Sequence, residues 1–495
     1  MYFLGIDVGT THVKTCLLDQ DLSLVRVALN EHDLHDLPGI GLCYEPDFLW
    51  TLVQGQMESL LAEIDPQEVR GIGVTSMSEA GLPVDRDGCA LYPIVPWNDI
   101  RSKAYGQELL EQFGGYDLFR RTGIIYHPKY SVSRMMYLRF EHPDIFSQMH
   151  CWLSVTDFIL NRLCGSFVMD ESQACRTLLY DIRNHCWDPD LVEAAGMAGK
   201  LPQVIGMGES AGILRREISS RFGMRRDVVA VSGGQDHLCA AIAVGDGAKT
   251  TVINSMGTSE VYFGLSDAPR LDMAAYEACL NQGCFADGRY YWIANIPGSG
   301  ASIEWLRQIL SVQGDVGYAV FSGDDEMEKP SKLFYYPYLN GSGSPHTDHE
   351  RKGLFYGLSA KTNVCDLIQA VFEGIAFEAK WIMDALSALE IPVDRILSVG
   401  GGTKNEGLVQ TKADILGRPL TITGLKEATG IGAAMQAARA AGLVTDFSRQ
   451  RSGTAALEQD VQPDMKLNRH YQMRFNDYRR LFDVITSFEK GNKHV

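Results

Sequence analysis

Residues 228–246 read VVAVSGGQDHLCAAIAVGD, and the rest of the chain is organised around them. A short apolar run, Val228 to Val231, meets Ser232-Gly233-Gly234. Gln235, Asp236 and an Ala-rich helical segment follow. The order strand, Gly-rich turn, helix puts Asp236 at a helix N-terminus. Two readings of Asp236 stand together. It caps the helix, as Asp commonly does, or it accepts a proton from a substrate hydroxyl.

The chain has 495 residues, 45% hydrophobic and 22% charged, which fits a multi-domain globular protein. Lys plus Arg number 45 against 62 Asp plus Glu, a net charge of −17. That balance argues against nucleic acid or an anionic membrane as partner. A nucleotide remains open, because backbone amides and a metal can hold phosphates. The first residues read as a strand rather than a secretory leader, and no apolar run is long enough to span a membrane. The 11 cysteines are scattered without a C-x-x-C pair, the pattern of reduced thiols in a cytoplasmic protein. Cys279 and Cys284 are the closest pair; core packing and a metal or redox role are both open for them.

Residues 2–19 read as a β-hairpin with Gly9-Thr10-Thr11 at its turn. Those residues offer amides and hydroxyls to phosphate oxygens, and Asp7, just before the turn, suits a hydrated magnesium ion. Helical periodicity covers 47–62. A short buried-type strand, Gly71 to Thr75, runs into Ser76-Met77-Ser78-Glu79. Ligands of open α/β sheets gather at such carboxyl ends, so Glu79 is either a hydroxyl ligand or a solvated loop carboxylate. In PIVPWNDIR, residues 93–101, Trp97 offers an apolar plate, and Asp99 and Arg101 offer polar ligands or a salt bridge to each other. Residues 102–225 read as an insertion that walls a pocket, with Tyr126, His127 and Tyr130 as lining candidates.

A second beginning follows. Residues 250–264 repeat the hairpin, with Gly257-Thr258-Ser259 at the turn, and residues 395–417 repeat the plan of 228–246. The weak repeat predicts an α/β fold of two similar domains facing each other across a cleft, divided at 246–247.

Gly353 to Leu358, seven residues, then Asp366-Leu367 and Ala370 to Glu373 resemble a signature of the FGGY family of carbohydrate kinases, which have the actin-like, ribonuclease H-like fold. Tyr130 to Leu138 resemble the family's other signature, with Arg134 where Lys is usual and Tyr137 where Trp is usual. The resemblance implies a phosphotransferase that uses ATP and Mg²⁺ on a small sugar, a ketose or polyol. It implies Asp236 as catalytic base. Asp7, Gly9, Thr10 and Thr11 match the first phosphate motif, with Lys14 in the same nucleotide site. Gly257, Thr258 and Ser259 match the second. Gly400, Gly401, Gly402, Asn405 and Gln410 resemble the adenosine motif. Trp97, Asp99 and Arg101 match a W-x-D-x-R element of sugar-binding members, beside Ser78, Glu79 and Tyr130. Ser78-Glu79 falls where glycerol-phosphorylating members carry Arg-Glu and xylulose-phosphorylating members Met-His. On this reading residues 1–246 bind sugar, residues 247–495 bind nucleotide, and a homodimer is open. A non-catalytic actin-like ATPase or a sugar sensor is the alternative. An intact Asp236 together with the sugar element argues against it.

Overall fold

The structure, a computed structural model, describes residues 1–99, 101–245, 247–311, 329–443 and 458–492. Asp246, which closes the opening stretch, and Ile100 of PIVPWNDIR lie outside the described residues.

The first sheet is built from β1 (Tyr2–Val8), β2 (His12–Asp19), β3 (Leu24–Glu31), β4 (Val69–Ser76), β5 (Ser210–Ile213) and β6 (Val229–Gln235). Its strand order is β5-β6-β4-β1-β2-β3. β6, β4 and β1 are parallel, while β2 and β3 return antiparallel. Phe3 to Ile6 are buried on both faces of the sheet, hence their unbroken apolar run. The second sheet holds β7 (Thr251–Met256), β8 (Glu260–Ser266), β9 (Asn281–Cys284), β10 (Tyr290–Ile296), β11 (Arg395–Val399), β12 (Leu420–Thr423) and β13 (Glu458–Val461). Its order is β9-β10-β8-β7-β11-β12-β13, again three parallel strands beside an antiparallel run.

The sheet order corrects the pairing of the repeats. β11 sits beside the hairpin strand β7, as β4 sits beside β1. Residues 395–417 therefore correspond to the segment from β4, not to 228–246. The counterpart of β6 and its helix is β12 and the helix after it. Both segments have the form strand, glycine, helix, so the pattern alone does not separate them.

The helices around the sheets include α1 (Pro46–Leu61), α2 (Ser131–Glu141), α3 (Val155–Cys164), α4 (Glu171–Cys175), α5 (Asp236–Val244), α6 (Val364–Ala388), α7 (Glu406–Leu416), α8 (Ala428–Ala440) and α9 (Met465–Asn492). The counterparts α5 and α8 pack together between the sheets. They bury Leu238 and Ile242, with Ile431, Ala434 and Met435, against Val231, Ile253 and Phe263. α8 lies across β1, β4 and β6 although it comes from the second half of the chain. Glycines permit this approach. A Cβ on Gly5 would stand 1.9 Å from the Gly430 carbonyl oxygen, and one on Gly73 1.9 Å from that of Ala433.

The Gly-rich segment of the opening stretch is not a turn. β6 continues through Ser232-Gly233-Gly234 to Gln235, with a bulge between Ser232 and Gly234. Gly234 has φ +92°, and a Cβ there would meet Met207 at 2.8 Å. The bulge re-aims the strand end, and Gln235 becomes the N-cap of α5 with Asp236 its first helical residue.

The helical part of the family-like signature, Ala370 to Glu373, is buried core, whereas Tyr356 and Leu358 of its first part are exposed. Asp366 and Asn363 make a capping box for α6. Glu373 accepts from Ser331 N–H at 2.7 Å, Gln369 Nε2 at 3.0 Å and the Tyr471 hydroxyl at 3.1 Å, tying α6 to α9.

Candidate active site

Three parallel strands end in line. Asp7 of β1 lies opposite Thr75 of β4, and Thr75 lies opposite Gly234 of β6. Asp7, the Ser78-Glu79 segment and Asp236 therefore share one edge of the first sheet. The strand ends are pinned from below. The Thr75 hydroxyl donates to the Gly234 carbonyl at 2.7 Å, and the Gln235 N–H donates to Ser172 Oγ at 3.0 Å. Buried Asp170 caps α4 and accepts from the Ser232 hydroxyl at 2.7 Å. Burial raises the Asp170 pKa, against the bonds it accepts from Ser172 and Ser232. None of these supports stood out in the sequence, since all but the Asp170 cap are long-range contacts of ordinary polar residues.

Asp236 is half-buried, and its Oδ1 accepts the His237 N–H at 2.7 Å. Asp7 is pushed up to about 7, first by burial and then by the charge of Asp236, with Lys14 opposing. Two carboxylates that resist sharing one site suit a hard divalent cation. Lys14 lies across the ladder from Asp7 and donates to Glu427 at 2.7 Å, so the hairpin grips the residue that starts α8.

The phosphate-type turns are alike. Gly9 N–H donates to His12 O at 2.9 Å, and Gly257 N–H donates to Ser259 O at 3.1 Å. Thr10, Thr11, Gly257, Thr258 and Ser259 are exposed. β11 ends in register with β7, Val399 opposite Ser255, which sets Gly400 to Asn405 beside the second turn. Gly401 faces open space, and Gly402 backs onto Met256. The Asn405 side chain caps α7, and Gln410 binds Asp414 and the Gln462 carbonyl.

Glu79 is buried, which rules out the solvated-loop reading. Arg176 donates to its Oε1 through Nε at 2.9 Å and also through Nη2, and Lys129 Nζ lies 3.7 Å away. Burial alone raises the Glu79 pKa, but Arg176 and Lys129 outweigh it and hold the carboxyl below its ordinary range. Its φ is +64°, a strained backbone for a residue with a side chain. The Ser131 hydroxyl, donating to the Glu79 carbonyl at 2.8 Å, helps hold it. Tyr130 lies under both cations, 5.0 Å from the Arg176 guanidinium and 5.5 Å from Lys129 Nζ. Ser78 Oγ and Gln235 Oε1 are buried without a hydrogen-bond partner among the described residues. Arg134, where the family usually has Lys, is buried and donates to the Pro96, Lys129 and Tyr130 carbonyls. It joins the Trp97 segment to α2. Trp97 is 38% exposed, enough for one open ring face. Asp99 and Arg101 bind each other, with Arg101 Nε and Nη2 donating at 2.8 Å and 2.7 Å. Arg101 also donates to the Ile40 and Leu42 carbonyls. His127 packs edge-on against His349 of the second half, ring centroids 4.2 Å apart. Sequence reasoning missed Arg176, Lys129 and His349, which lie far from Glu79 along the chain.

Family models match both halves: residues 2–243 match the N-terminal domain of the FGGY family of carbohydrate kinases, and residues 252–441 match its C-terminal domain. The xylulose kinase of Staphylococcus xylosus is 24% identical over 486 residues, covering 97% of this chain and all of that protein. The glycerol kinase of Acaryochloris marina is 28% identical over 468 residues, covering 90% of this chain and 91% of that one. A ligand-bound xylulose kinase from Lactobacillus acidophilus superposes with a TM-score of 0.88 at 23% identity, covering 98% of each chain. With two sheets of one plan, paired helices between them, and matched models on either side, the chain belongs to the FGGY family of carbohydrate kinases and has that family's two-domain actin-like fold.

Proposed function

We propose that this kinase transfers the γ-phosphoryl group of ATP to a hydroxyl of a ketose or polyol, with Asp236 as the base. The observation that carries the reading is the shared strand edge. Asp7, Thr75 and Gly234 pair across three parallel strands, and Ser78-Glu79 and Asp236 follow closely on the ends of two of them. In this mechanism the sugar hydroxyl points at the Asp236 carboxylate. An alkanol is a far weaker acid than a carboxylic acid, so the proton moves late, as the new P–O bond forms. ADP is the leaving group. Thr10, Thr11 and the Gly257–Ser259 turn hold phosphate oxygens, and Gly401, Gly402 and Asn405 border the adenosine. Positioning and charge stabilisation supply most of the rate.

Asp7 is the residue that would hold a hydrated magnesium ion; the charge of Asp236 beside it makes this a site that a cation would relieve. Held there, magnesium would supply neutralisation of phosphate charge. On the sugar side, Ser78 Oγ faces no protein partner and is free for a hydroxyl. Glu79, fixed by Arg176, and Tyr130 form the wall, and Trp97 offers an apolar face. Asp99 and Arg101 reach a sugar only by relaxing their mutual pair. On this reading residues 1–246 carry sugar and base and residues 247–495 carry nucleotide, in a cytoplasmic enzyme. No helix among the described residues is long and apolar enough to cross a membrane.

A coupled ADP-release screen over glycerol, tetritols, pentuloses, hexuloses and aldonates tests the reading. One ketose or polyol class is expected to stand out in kcat/KM. ADP release no faster with any of them than with ATP alone would sink it.

A further inference from the structure

Away from this site, one cluster of ligand-type side chains joins the two halves of the chain. Glu171 opens α4, Cys284 ends β9, and His185 lies in the loop between two short strands, Tyr180–Asp181 and Cys186–Trp187. One ligand atom from each lies within 4.8 Å of the other two. His185 Nδ1 is 2.6 Å from Glu171 Oε1 and 3.9 Å from Cys284 Sγ. We propose that Glu171, His185 and Cys284 bind a zinc-type divalent cation that ties the two halves together.

The donor set selects the metal class. Oxygen, imidazole nitrogen and thiolate sulfur together suit zinc, whereas magnesium and calcium take oxygen. The spacing is close to what such an ion requires. Tetrahedral bonds of ordinary zinc length put nitrogen and oxygen about 3.4 Å apart, and nitrogen and sulfur about 3.6 Å apart. The 3.9 Å gap closes by a few tenths of an ångström, the 2.6 Å gap opens by less than 1 Å, and the Glu171 oxygen and Cys284 sulfur, which lie within 4.8 Å of each other, close to about 3.6 Å. Turning the Glu171 and His185 side chains, neither of them buried, supplies these movements.

The surroundings orient the ligands. His185 Nε2 lies 2.9 Å from the Tyr290 hydroxyl, and a bond there leaves Nδ1 for the ion. The Tyr180 hydroxyl donates to Glu171 Oε1 at 2.8 Å. The Cys284 backbone is held in turn, its N–H donating to Cys175 Sγ at 3.3 Å. Glu171 is partly exposed and lines a groove with Gly206 to Ser210 and Asp287, which gives an ion a way in. The grouping also answers the cysteine question. Cys284 faces Cys175 and His185, both distant in sequence, rather than its chain neighbour Cys279.

The tie has a mechanical consequence. Glu171 and His185 come from the first half, and Cys284 and Tyr290 from the second sheet. α4 begins at Glu171, and the residue after its last, Arg176, grips Glu79. An ion here would brace the wall of the sugar pocket against the second sheet. Binding converts the Cys284 thiol to a thiolate and releases its proton to solvent. Without an ion His185 Nδ1 hydrogen-bonds Glu171 Oε1 at 2.6 Å, and on binding the ring proton moves to Nε2, which donates to the Tyr290 hydroxyl.

The test uses the full chain, reduced, stripped with a chelator and titrated with Co²⁺ alone. We expect one equivalent to bind with a thiolate-to-cobalt charge-transfer band, and Zn²⁺ to displace it. Cys284→Ser, nearly isosteric, should lose the band. Glu171→Gln, nearly isosteric, should keep the fold and weaken binding at least about tenfold. No saturable band in the wild type, or an undiminished band in Cys284→Ser, would overturn the proposal.

Discussion

Replacing Asp236 by Asn separates chemistry from folding, because the structure specifies what the substitution leaves in place. Gln235, not Asp236, is the N-cap of α5, so the cap is untouched. Asp236 Oδ1 accepts the His237 N–H at 2.7 Å, and an Asn Oδ1 can do the same. What the fold loses is one negative charge in the first turn, worth about 0.3–1 kcal/mol at a helix N-terminus. Relief of the repulsion that raises Asp7 offsets part of it. The net change in stability should stay within about 1 kcal/mol, a thermal shift of a few degrees at most. Activity should respond on another scale. Removing a general base costs about 10²–10⁴-fold, or about 3–5 kcal/mol of barrier. Three measurements on one preparation check this: kcat by coupled ADP release, the thermal midpoint, and ATP affinity by calorimetry. We expect kcat to fall by at least about a hundredfold, with the midpoint and ATP affinity near wild type. An Asn variant with wild-type kcat would remove Asp236 from the chemistry. A loss of stability beyond about 3 kcal/mol would show that the carboxylate is structural instead.

The Glu79–Arg176 pair predicts a mixed effect. Glu79→Gln strands a buried guanidinium, so stability should fall by about 3 kcal/mol and the sugar KM should rise while ATP affinity holds; unchanged sugar kinetics would detach Glu79 from the pocket. In the second domain, Lys412 and Glu260 form an ion pair with both side chains fully buried. Lys412→Met should cost about 3–5 kcal/mol, and adding Glu260→Gln should recover most of it, as denaturant melts would show. Burial pushes Glu373 and Glu378 up to about 7 from 4.5, so the folded state holds their protons more tightly than the unfolded chain does. Their contribution to stability is full below pH 4.5 and is lost as pH rises through 7. At about 1.4 kcal/mol per pKa unit, the loss is up to about 3 kcal/mol for each group. Glu373→Gln keeps the acceptor for Ser331, Gln369 and Tyr471 and should remove about half of that slope, Glu378 supplying the rest; a variant as pH-dependent as wild type would refute the assignment.

Local chemistry made much of the fold legible. The hairpin at 2–19, the strand at 71–75 and the helix at 47–62 are written in apolar runs, turn residues and periodicity, patterns that are short in sequence. What stayed hidden depends on contacts between distant residues. Glu79 gives no local sign that Arg176 neutralises it, so its sequence fits a solvated loop as well as a buried ion pair. Asp99 and Arg101, two residues apart, show the converse: their pairing was readable, but not that Arg101 also holds the Ile40 and Leu42 carbonyls. The mispaired repeat has the same cause. A strand's neighbours in a sheet are chosen by register and by what covers its faces, not by its order in the chain. Gly5 and Gly73 carry the missing information, because both lie where α8 crosses the first sheet. They mark a close approach, yet nothing near them in sequence says which helix makes it. Gly430 and Ala433, far along the chain, complete that contact. The pairing of α8 with α5 follows from it: once glycines admit the second domain's helix onto the first sheet, equivalent helices of the two domains meet back to back, and Asp236 starts one of them at the edge where the sugar reading needs its base.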